Sequence, residues 1–178
     1  MNGEEPLRAP SFSRKTPDGD DRERDVCNAC GYVAYQNPKI VVGSVASYGA
    51  KILLCRRAIE PRRGYWTLPA GYLELGESVE DGARREAWEE ARVRLDIDRV
   101  LAIYSVPRIS QVQIMFRARL SADEASPGPE SLETALFDWD GLPWADLAFP
   151  TVGWALRHWR EARGRADFAP FANPVDGV

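Results

Sequence analysis

The sequence has few cysteines, one histidine and no long apolar run. Its three cysteines are an odd number, which does not suggest a disulfide framework. No apolar run approaches the ~18 residues that a membrane-spanning helix needs. The opening residues, MNGEEPLRAPSFSRK, lack the apolar core of a secretory signal. We therefore expect a cytoplasmic protein without a membrane partner.

Positive charge is not in excess either. The net charge is -4 and the pI is near 5.2, so the chain as a whole offers no field that attracts long nucleic acid. A local group of arginines could still hold a small phosphorylated ligand. With 178 residues, 44% of them hydrophobic, the chain is long enough for one ordinary globular domain.

The composition divides the chain into three parts: an N-terminal arm over residues 1–38, a main domain over 39–164 and a C-terminal tail over 165–178. Residues 1 to about 25 are rich in charge, proline and glycine, as in KTPDGDDRERD. Such a stretch cannot bury much apolar surface, so we expect it to be poorly ordered or to follow the surface.

The main domain begins with two aliphatic runs, KIVVGSVASY and KILLCRR, which predict a hairpin. Short extended pieces are expected in WTLPAGYLE, and further strands in RVLAIYSVP, QVQIMFRARL and ETALFDWD. A helix is predicted from Val79 to Arg92 with Ser78 as its N-cap, and a second within TVGWALRHWREARG, with Thr151 as cap and Gly164 as stop. This order predicts an α+β fold, a mixed sheet sandwiched between helices.

The first helix carries three glutamates that repel each other. Glu86, Glu89 and Glu90 are neighbours at helical spacing, and each like-charge pair costs roughly 0.2 to 0.5 kcal/mol. One explanation is a solvated charged face balanced by nearby arginines. The other is a divalent metal, because clustered carboxylate oxygens suit Mg²⁺ or Mn²⁺.

The stretch GYLELGESVEDGARREAWEEARV resembles the Nudix box, whose pattern is G-x5-E-x7-R-E-U-x-E-E-x-G-U with U aliphatic. The matching fixed positions are Gly71, Glu77, Arg85, Glu86, Glu89 and Glu90. Arg92 stands where the pattern has its second glycine. Because a cation at a helix C-terminus is favourable to the helix dipole, we interpret Arg92 as a tolerated variation.

The resemblance implies a hydrolase in which water attacks one phosphorus of a pyrophosphate with the help of Mg²⁺ or Mn²⁺. It implies that the metal ligands are Glu86, Glu89, Glu90 and the carbonyl of Ala70. It also implies that Glu77 and Arg85 form a structural ion pair. In many members of the family the general base is a carboxylate on a late loop, which favours Glu133, then Glu130; in others it is a box glutamate, here Glu89.

The flanks, including CNACGYVAYQNPKIVVG, look like the Nudix subgroup of FAD and ADP-ribose pyrophosphatases with an N-terminal zinc ribbon. This implies cleavage of FAD to FMN and AMP, or of ADP-ribose to AMP and ribose 5-phosphate. NADH, a nucleotide sugar, a CDP-alcohol and a capped RNA are alternative substrates, and a non-catalytic nucleotide sensor is an alternative function. The resemblance also implies a homodimer.

Candidate substrate contacts lie just before the box. We select Arg57 and Arg63, because guanidinium groups bind phosphate in a bidentate manner, and Trp66, which could stack on a base. Aromatic residues in strand-like runs are more often part of the core. Cys27 and Cys30 have the spacing of one zinc knuckle, but a structural zinc needs four ligands, so we do not expect zinc to be bound.

Overall fold

The computed structural model describes residues 9–175. The chain divides into two compact units between Asn37 and Pro38. Neither helix in the described residues is long and apolar enough to cross a membrane.

The first unit contains a small antiparallel sheet of three strands: β1 (Phe12–Lys15), β2 (Arg24–Cys27) and β3 (Val33–Ala34). Its turn is held by an ion pair in which Arg24 Nε lies 2.9 Å from Asp20 Oδ2. Of the two expectations for residues 1 to about 25, poor order does not describe residues 9–25, because β1 pairs with β2. The same residues are mostly exposed, as the alternative of a surface segment predicted. Residues 1–8 lie outside the described residues.

The second unit is built on a mixed seven-stranded sheet. Its strands are β4 (Lys39–Tyr48), β5 (Lys51–Arg57), β6 (Trp66–Thr67), β7 (Ala70–Tyr72), β8 (Leu95–Val106), β9 (Gln111–Leu120) and β10 (Ser131–Phe137). The main order is β10-β5-β4-β9-β8, with β6 beside β5 and β7 beside β4. Only the β4 and β9 pair is parallel. The expected hairpin of β4 and β5 is confirmed.

Two helices, α1 (Val79–Ala91) and α2 (Pro150–Ala162), cover opposite faces of this sheet. Successive side chains of a strand point to opposite faces, and Ala46 packs in the cluster of α1 whereas Val45 packs in the cluster of α2. The alanines of α1 that are spaced four apart are fully buried and allow close packing: Ala83, Ala87 and Ala91. The predicted α+β sandwich is confirmed.

Helix α1 begins and ends as its sequence requires. Ser78 Oγ accepts a hydrogen bond from the Asp81 N–H at 3.1 Å, which confirms the N-cap. At the other end Arg92 takes a left-handed conformation, φ 56°, and its N–H donates to the Trp88 carbonyl at 3.0 Å. Arg92 therefore performs the turn that a glycine performs more cheaply.

Helix α2 begins earlier than predicted. Its cap position is Phe149 and its first residue is Pro150, so the prediction of Thr151 as cap is wrong. Proline suits the first helical position because its φ is already helical and its missing N–H would have had no intrahelical partner. Gly164, with φ +79°, follows the C-cap Arg163.

Candidate active site

Three acids of the box lie on α1, which packs beside β7: Glu86, Glu89 and Glu90. Glu86 and Glu90 are buried, at 8% and 6% exposure, whereas Glu89 is exposed. The carboxylate of Glu86 occupies the space beside Gly71, where any Cβ would overlap with it. Gly71 is therefore needed at this position so that the acid can pack under β7.

Arg85 connects the acids to the preceding loop. Its guanidinium donates to Glu77 Oε1 at 2.7 Å and to Glu77 Oε2 at 3.1 Å. It also donates to Glu86 Oε1 at 2.7 Å, to Glu89 Oε2 at 3.1 Å and to the Tyr72 carbonyl at 2.9 Å. The hydrogen bonds from Arg85 lower the pKa of Glu77 to about 2. The expected ion pair is thus present, and Arg85 also offsets part of the charge of two box acids.

Glu90 is the acid whose charge is least compensated. Burial, together with repulsion from Glu86, raises its pKa to about 8, although Arg57 opposes this shift. Burial likewise raises the pKa of Glu86. Glu90 Oε2 is buried and has no hydrogen-bond partner among residues 9–175. A buried carboxylate oxygen without a partner is costly, so the site is short of positive charge.

A hard dication fits this shortage. Glu86, Glu89 and Glu90 line the cavity together with Ala70, and their carboxylate oxygens are the type of ligand that Mg²⁺ and Mn²⁺ prefer. In the part of the chain that the structure describes, no three acidic, histidine or cysteine side chains are already arranged as a metal cage. The carboxylates of Glu86 and Glu89 are instead hydrogen-bonded to Arg85.

A loop between β9 and β10 packs against the end of α1 and carries Glu130. The Ser126 N–H donates to the Ala91 carbonyl and the Gly128 N–H to the Glu90 carbonyl, both at 3.0 Å, which satisfies carbonyls that a helix end leaves open. Gly128 approaches the Glu89 carbonyl so closely that a Cβ would overlap with it. The loop therefore has a fixed position relative to the acids.

Glu130 and Glu133 have different surroundings. Glu130 lines the cavity and is close enough to raise the pKa values of Glu86 and Glu90 by repulsion. Glu133 lies on β10 and forms an exposed ion pair with Arg56 at 3.5 Å. Of the two carboxylates predicted as candidates for the general base, Glu130 therefore lines the cavity and Glu133 does not.

The site opens into a cavity of about 970 Å³. One end carries the box acids, Glu130 and Arg57, and the other is lined by apolar side chains such as Met115 and Trp154. Arg57 is held by a hydrogen bond to the Pro61 carbonyl at 2.8 Å and lies over the Phe149 ring at 5.2 Å. No signal in the sequence indicated this contact, because Phe149 is about 90 residues from Arg57 along the chain.

The other two proposed substrate contacts lie elsewhere. Arg63 is exposed and outside the cavity wall. Trp66 packs edge-on against Phe137 at 5.0 Å, in the core. Trp66 thus follows the general preference of strand aromatics for the core, and so does Tyr104, which is fully buried.

The NUDIX domain family matches residues 38–159 of this chain. The match spans more than half of the chain and includes the box, most of the cavity wall and most of α2. The chain belongs to the Nudix family. As a Nudix hydrolase it is an enzyme. A second family model, described as the Nudix N-terminal zinc ribbon, matches residues 9–36.

Known proteins resemble the chain in sequence and in structure. The crystal structure of a Nudix hydrolase from Nitrosomonas europaea is 41% identical, with a TM-score of 0.86, covering 94% of this chain and 96% of that one. An ADP-ribose pyrophosphatase of Methanocaldococcus jannaschii is 33% identical over 122 residues, 66% of this chain and 71% of that protein. An NAD-capped RNA hydrolase NudC of Stutzerimonas stutzeri is 34% identical over 122 residues, but the match covers only 42% of that protein.

The N-terminal unit does not fit a structural zinc. Within residues 9–36 the only cysteines are Cys27 and Cys30, both free thiols, and there is no histidine. Opposite them, Ser13 Oγ donates to Asn28 Oδ1 at 2.7 Å, and Asn28 Nδ2 donates to Ser11 Oγ at 3.2 Å. Two thiols fall short of the four ligands that zinc requires, and this hydrogen-bonded group connects β1 to the knuckle instead.

Proposed function

We propose that the chain is a divalent-metal-dependent pyrophosphatase that cleaves ADP-ribose to AMP and ribose 5-phosphate. The observation that carries the metal dependence is the buried Glu90 carboxylate. One of its oxygens has no hydrogen-bond partner among residues 9–175, and it lies on the wall of a cavity large enough for a nucleotide. The choice of ADP-ribose is supported by the similarity to a named ADP-ribose pyrophosphatase.

Glu86, Glu89, Glu90 and the Ala70 carbonyl would hold Mg²⁺ or Mn²⁺. When bound, the metal neutralises charge on the diphosphate oxygens and lowers the pKa of the attacking water. Arg57, held by Pro61 and Phe149, binds a phosphate oxygen from the opposite side of the acids and orients the diphosphate.

Glu130 acts as general base in this proposal. It lies on a loop fixed to the end of α1, at the acidic end of the cavity, where a carboxylate can accept a proton from water. A bond forms between the water oxygen and one phosphorus, and the bond from that phosphorus to the bridging oxygen breaks. The products are two phosphate monoesters. Glu89, the exposed box acid, is the alternative base.

One assay tests the proposal: product release from ADP-ribose, FAD, NADH, a nucleotide sugar and a CDP-alcohol, each with Mg²⁺ and then Mn²⁺. The highest kcat/KM is expected for ADP-ribose. Glu90→Gln should lower turnover about 10³-fold, because a neutral amide at this position cannot neutralise a dication. Wild-type turnover in Glu90→Gln, with an unchanged circular dichroism spectrum, would contradict the metal assignment.

The second candidate substrate is NAD-capped RNA, favoured by the similarity to NudC proteins. A short NAD-capped RNA and free NADH, compared in the same assay, separate recognition of the cap from recognition of RNA. With a net charge of -4, the chain should gain little from the RNA body.

Two further expectations remain proposals. A nucleotide sensor would bind ADP-ribose without releasing AMP, and a chain with that role has no need of three repelling acids. The homodimer is tested by light scattering of the purified protein at two concentrations.

A further inference from the structure

After α2 the chain returns along the edge of β8 that faces away from β9. The Phe171 N–H donates to the Leu101 carbonyl at 2.9 Å, and the Ile103 N–H donates to the Phe171 carbonyl at 2.9 Å. Phe171 thus lies beside Ala102 in one step of parallel pairing. We call residues 166–175 the C-terminal strap. The expected tail is therefore attached to the sheet within its described residues.

Side chains hold the C-terminal strap on both sides. The Phe171 ring stacks on His158 of α2, with centroids 4.4 Å apart and planes 6° from parallel. His158 Nδ1 is hydrogen-bonded to the buried Tyr104 hydroxyl at 2.7 Å. Nearer α2, Asp167 accepts a hydrogen bond from Arg99 at 2.8 Å. The residues that follow Phe171 consequently have a defined position.

Asn173 is the residue of the C-terminal strap that lines the cavity. Its Oδ1 accepts from the Ser105 N–H at 2.9 Å, and its Nδ2 donates to the Ser105 carbonyl at 2.7 Å. A carboxamide has two N–H groups and two oxygen lone pairs, so one donor and one acceptor remain beyond these contacts. The backbone of β8 thereby fixes a side chain that can still bind a ligand.

The sheet register places Asn173 far from the box acids. Across the sheet, Tyr72 of β7 pairs with Val41 of β4, Val41 with Gln113 of β9, and Gln113 with Tyr104 of β8. Neighbouring strands lie about 4.8 Å apart, so the four steps from β7 to the C-terminal strap span on the order of 19 Å. A ligand with its diphosphate at the acids must extend across β4, β9 and β8 to reach Asn173.

The wall near the C-terminal strap has the chemistry of a nucleobase site. Met115, Val152 and Trp154 offer apolar surface for the faces of a base, and Gln113 and Asn173 offer amides for its edge. Because Ser105 occupies the edge of the Asn173 amide on which the oxygen and one N–H lie side by side, Asn173 can add a single hydrogen bond to the edge of a base. We propose that Asn173, positioned by the C-terminal strap, binds the edge of the adenine base and so helps to determine specificity for adenine nucleotides. The orientation of the ligand rests on the proposed function.

Titration calorimetry in Mg²⁺ can measure the affinity of the full-length protein for AMP and for ribose 5-phosphate. Because only AMP carries a base, the comparison separates the contribution of the base from that of the phosphate. Asn173→Ala should weaken AMP about fivefold, the effect of one hydrogen bond, and leave ribose 5-phosphate within about twofold. In ADP-ribose turnover the same variant should raise KM and leave kcat unchanged. The matched control is Asp167→Asn, which weakens a contact of the C-terminal strap outside the cavity and should change neither ligand.

The inference is overturned if Asn173→Ala leaves AMP affinity unchanged, or if it weakens both ligands equally, because the residue would then only support the wall. If Asn173→Ala does not fold, Asn173→Asp gives the same test, since it keeps an acceptor for Ser105 but has no donor. A parent protein that binds AMP with these effects yet hydrolyses none of the substrates would refute the proposed function alone. Hydrolysis with an unaffected Asn173→Ala would refute this inference alone.

Discussion

The box on α1 and the knuckle in the N-terminal unit both belong to metal-associated motifs, and they have diverged in different ways. The box has changed one backbone position, Arg92, and kept every acid. In the N-terminal unit Asn28, between Cys27 and Cys30, is hydrogen-bonded to Ser11 and Ser13. Hydrogen bonds can thus connect strands without a metal, whereas they cannot supply the charge that a metal brings to a reaction.

The electrostatics of the two regions differ accordingly. Around the box, burial raises the pKa values of Glu86 and Glu90, and an oxygen of Glu90 has no partner among residues 9–175. In the knuckle, hydrogen bonds from the Cys30 and Ala29 N–H groups lower the pKa of Cys27. The box therefore lacks a positive charge next to Glu90. In the knuckle, neighbouring residues of the same unit supply the hydrogen bonds to Cys27 and Asn28.

Metal removal should produce the largest difference between the two regions. Dialysis against EDTA should lower hydrolysis of ADP-ribose by about 10³-fold or more, because the box acids lose the dication that neutralises the diphosphate. Added Mg²⁺ should restore the rate. Far-ultraviolet circular dichroism before and after dialysis provides the control, since both units should keep their secondary structure. Loss of structure together with activity would contradict a purely catalytic metal.

The choice of general base is the next largest effect. Glu130→Gln should lower kcat about 10²-fold, because an amide cannot accept the proton of the attacking water. The matched control is Glu133→Gln, which loses only an exposed ion pair with Arg56 and should keep kcat within about twofold. Steady-state kinetics at saturating Mg²⁺ measure both variants. If only Glu133→Gln were slow, the assignment from the cavity geometry would be wrong.

A smaller effect is expected from Gly128→Ala. The added Cβ would overlap with the Glu89 carbonyl, so the loop must shift and move Glu130 away from the acids. We expect kcat to fall about tenfold, since a small misplacement of a catalytic group is enough. Gly141→Ala adds its Cβ in open space and should leave kcat unchanged. Equal kcat values in the two alanine variants would show that the loop position is not critical.

The smallest effect concerns the N-terminal unit. Asn28→Ala removes two side-chain hydrogen bonds to serines and should destabilise β1 and β2 by about 1 kcal/mol. The measurement is hydrogen exchange of the Cys27 amide, which donates to the Tyr32 carbonyl. Cys30→Ser is the control and should leave the exchange rate unchanged. If Cys30→Ser or a zinc chelator accelerates exchange more than Asn28→Ala, zinc stabilises this unit after all.

Much of the main domain could be predicted because its signals are local. Ser78 three residues before Asp81, the buried alanines of α1 and the aliphatic runs of β4 and β5 each predict their element from a short window. The start of α2 was predicted wrongly because Thr151 is a good cap in isolation. Pro150 before it is a better first residue, and both signals cannot hold at once.

Long-range packing explains what the sequence did not reveal. The sequence slightly favoured Glu133 over Glu130, and it did not reveal that the loop with Gly128 packs against α1 while Glu130 lines the cavity. Asn173 lies within a short run, FANP, that carries no recognisable motif, and its position depends on hydrogen bonds to β8 about 70 residues earlier in the chain. The polar composition of residues 1 to about 25 predicted a segment that is poorly ordered or follows the surface. Composition does not reveal the backbone hydrogen bonds by which β1 pairs with β2.

The pairing of Phe171 with β8 has a consequence for solubility. The outermost strand of a sheet presents backbone N–H and C=O groups on which an extended segment of another molecule can add, and this is a common start of aggregation. Here part of that border is occupied by the protein's own later residues. Shortening the chain before Phe171 would uncover a template for β-addition, so such a truncated protein should precipitate at concentrations that the intact chain tolerates.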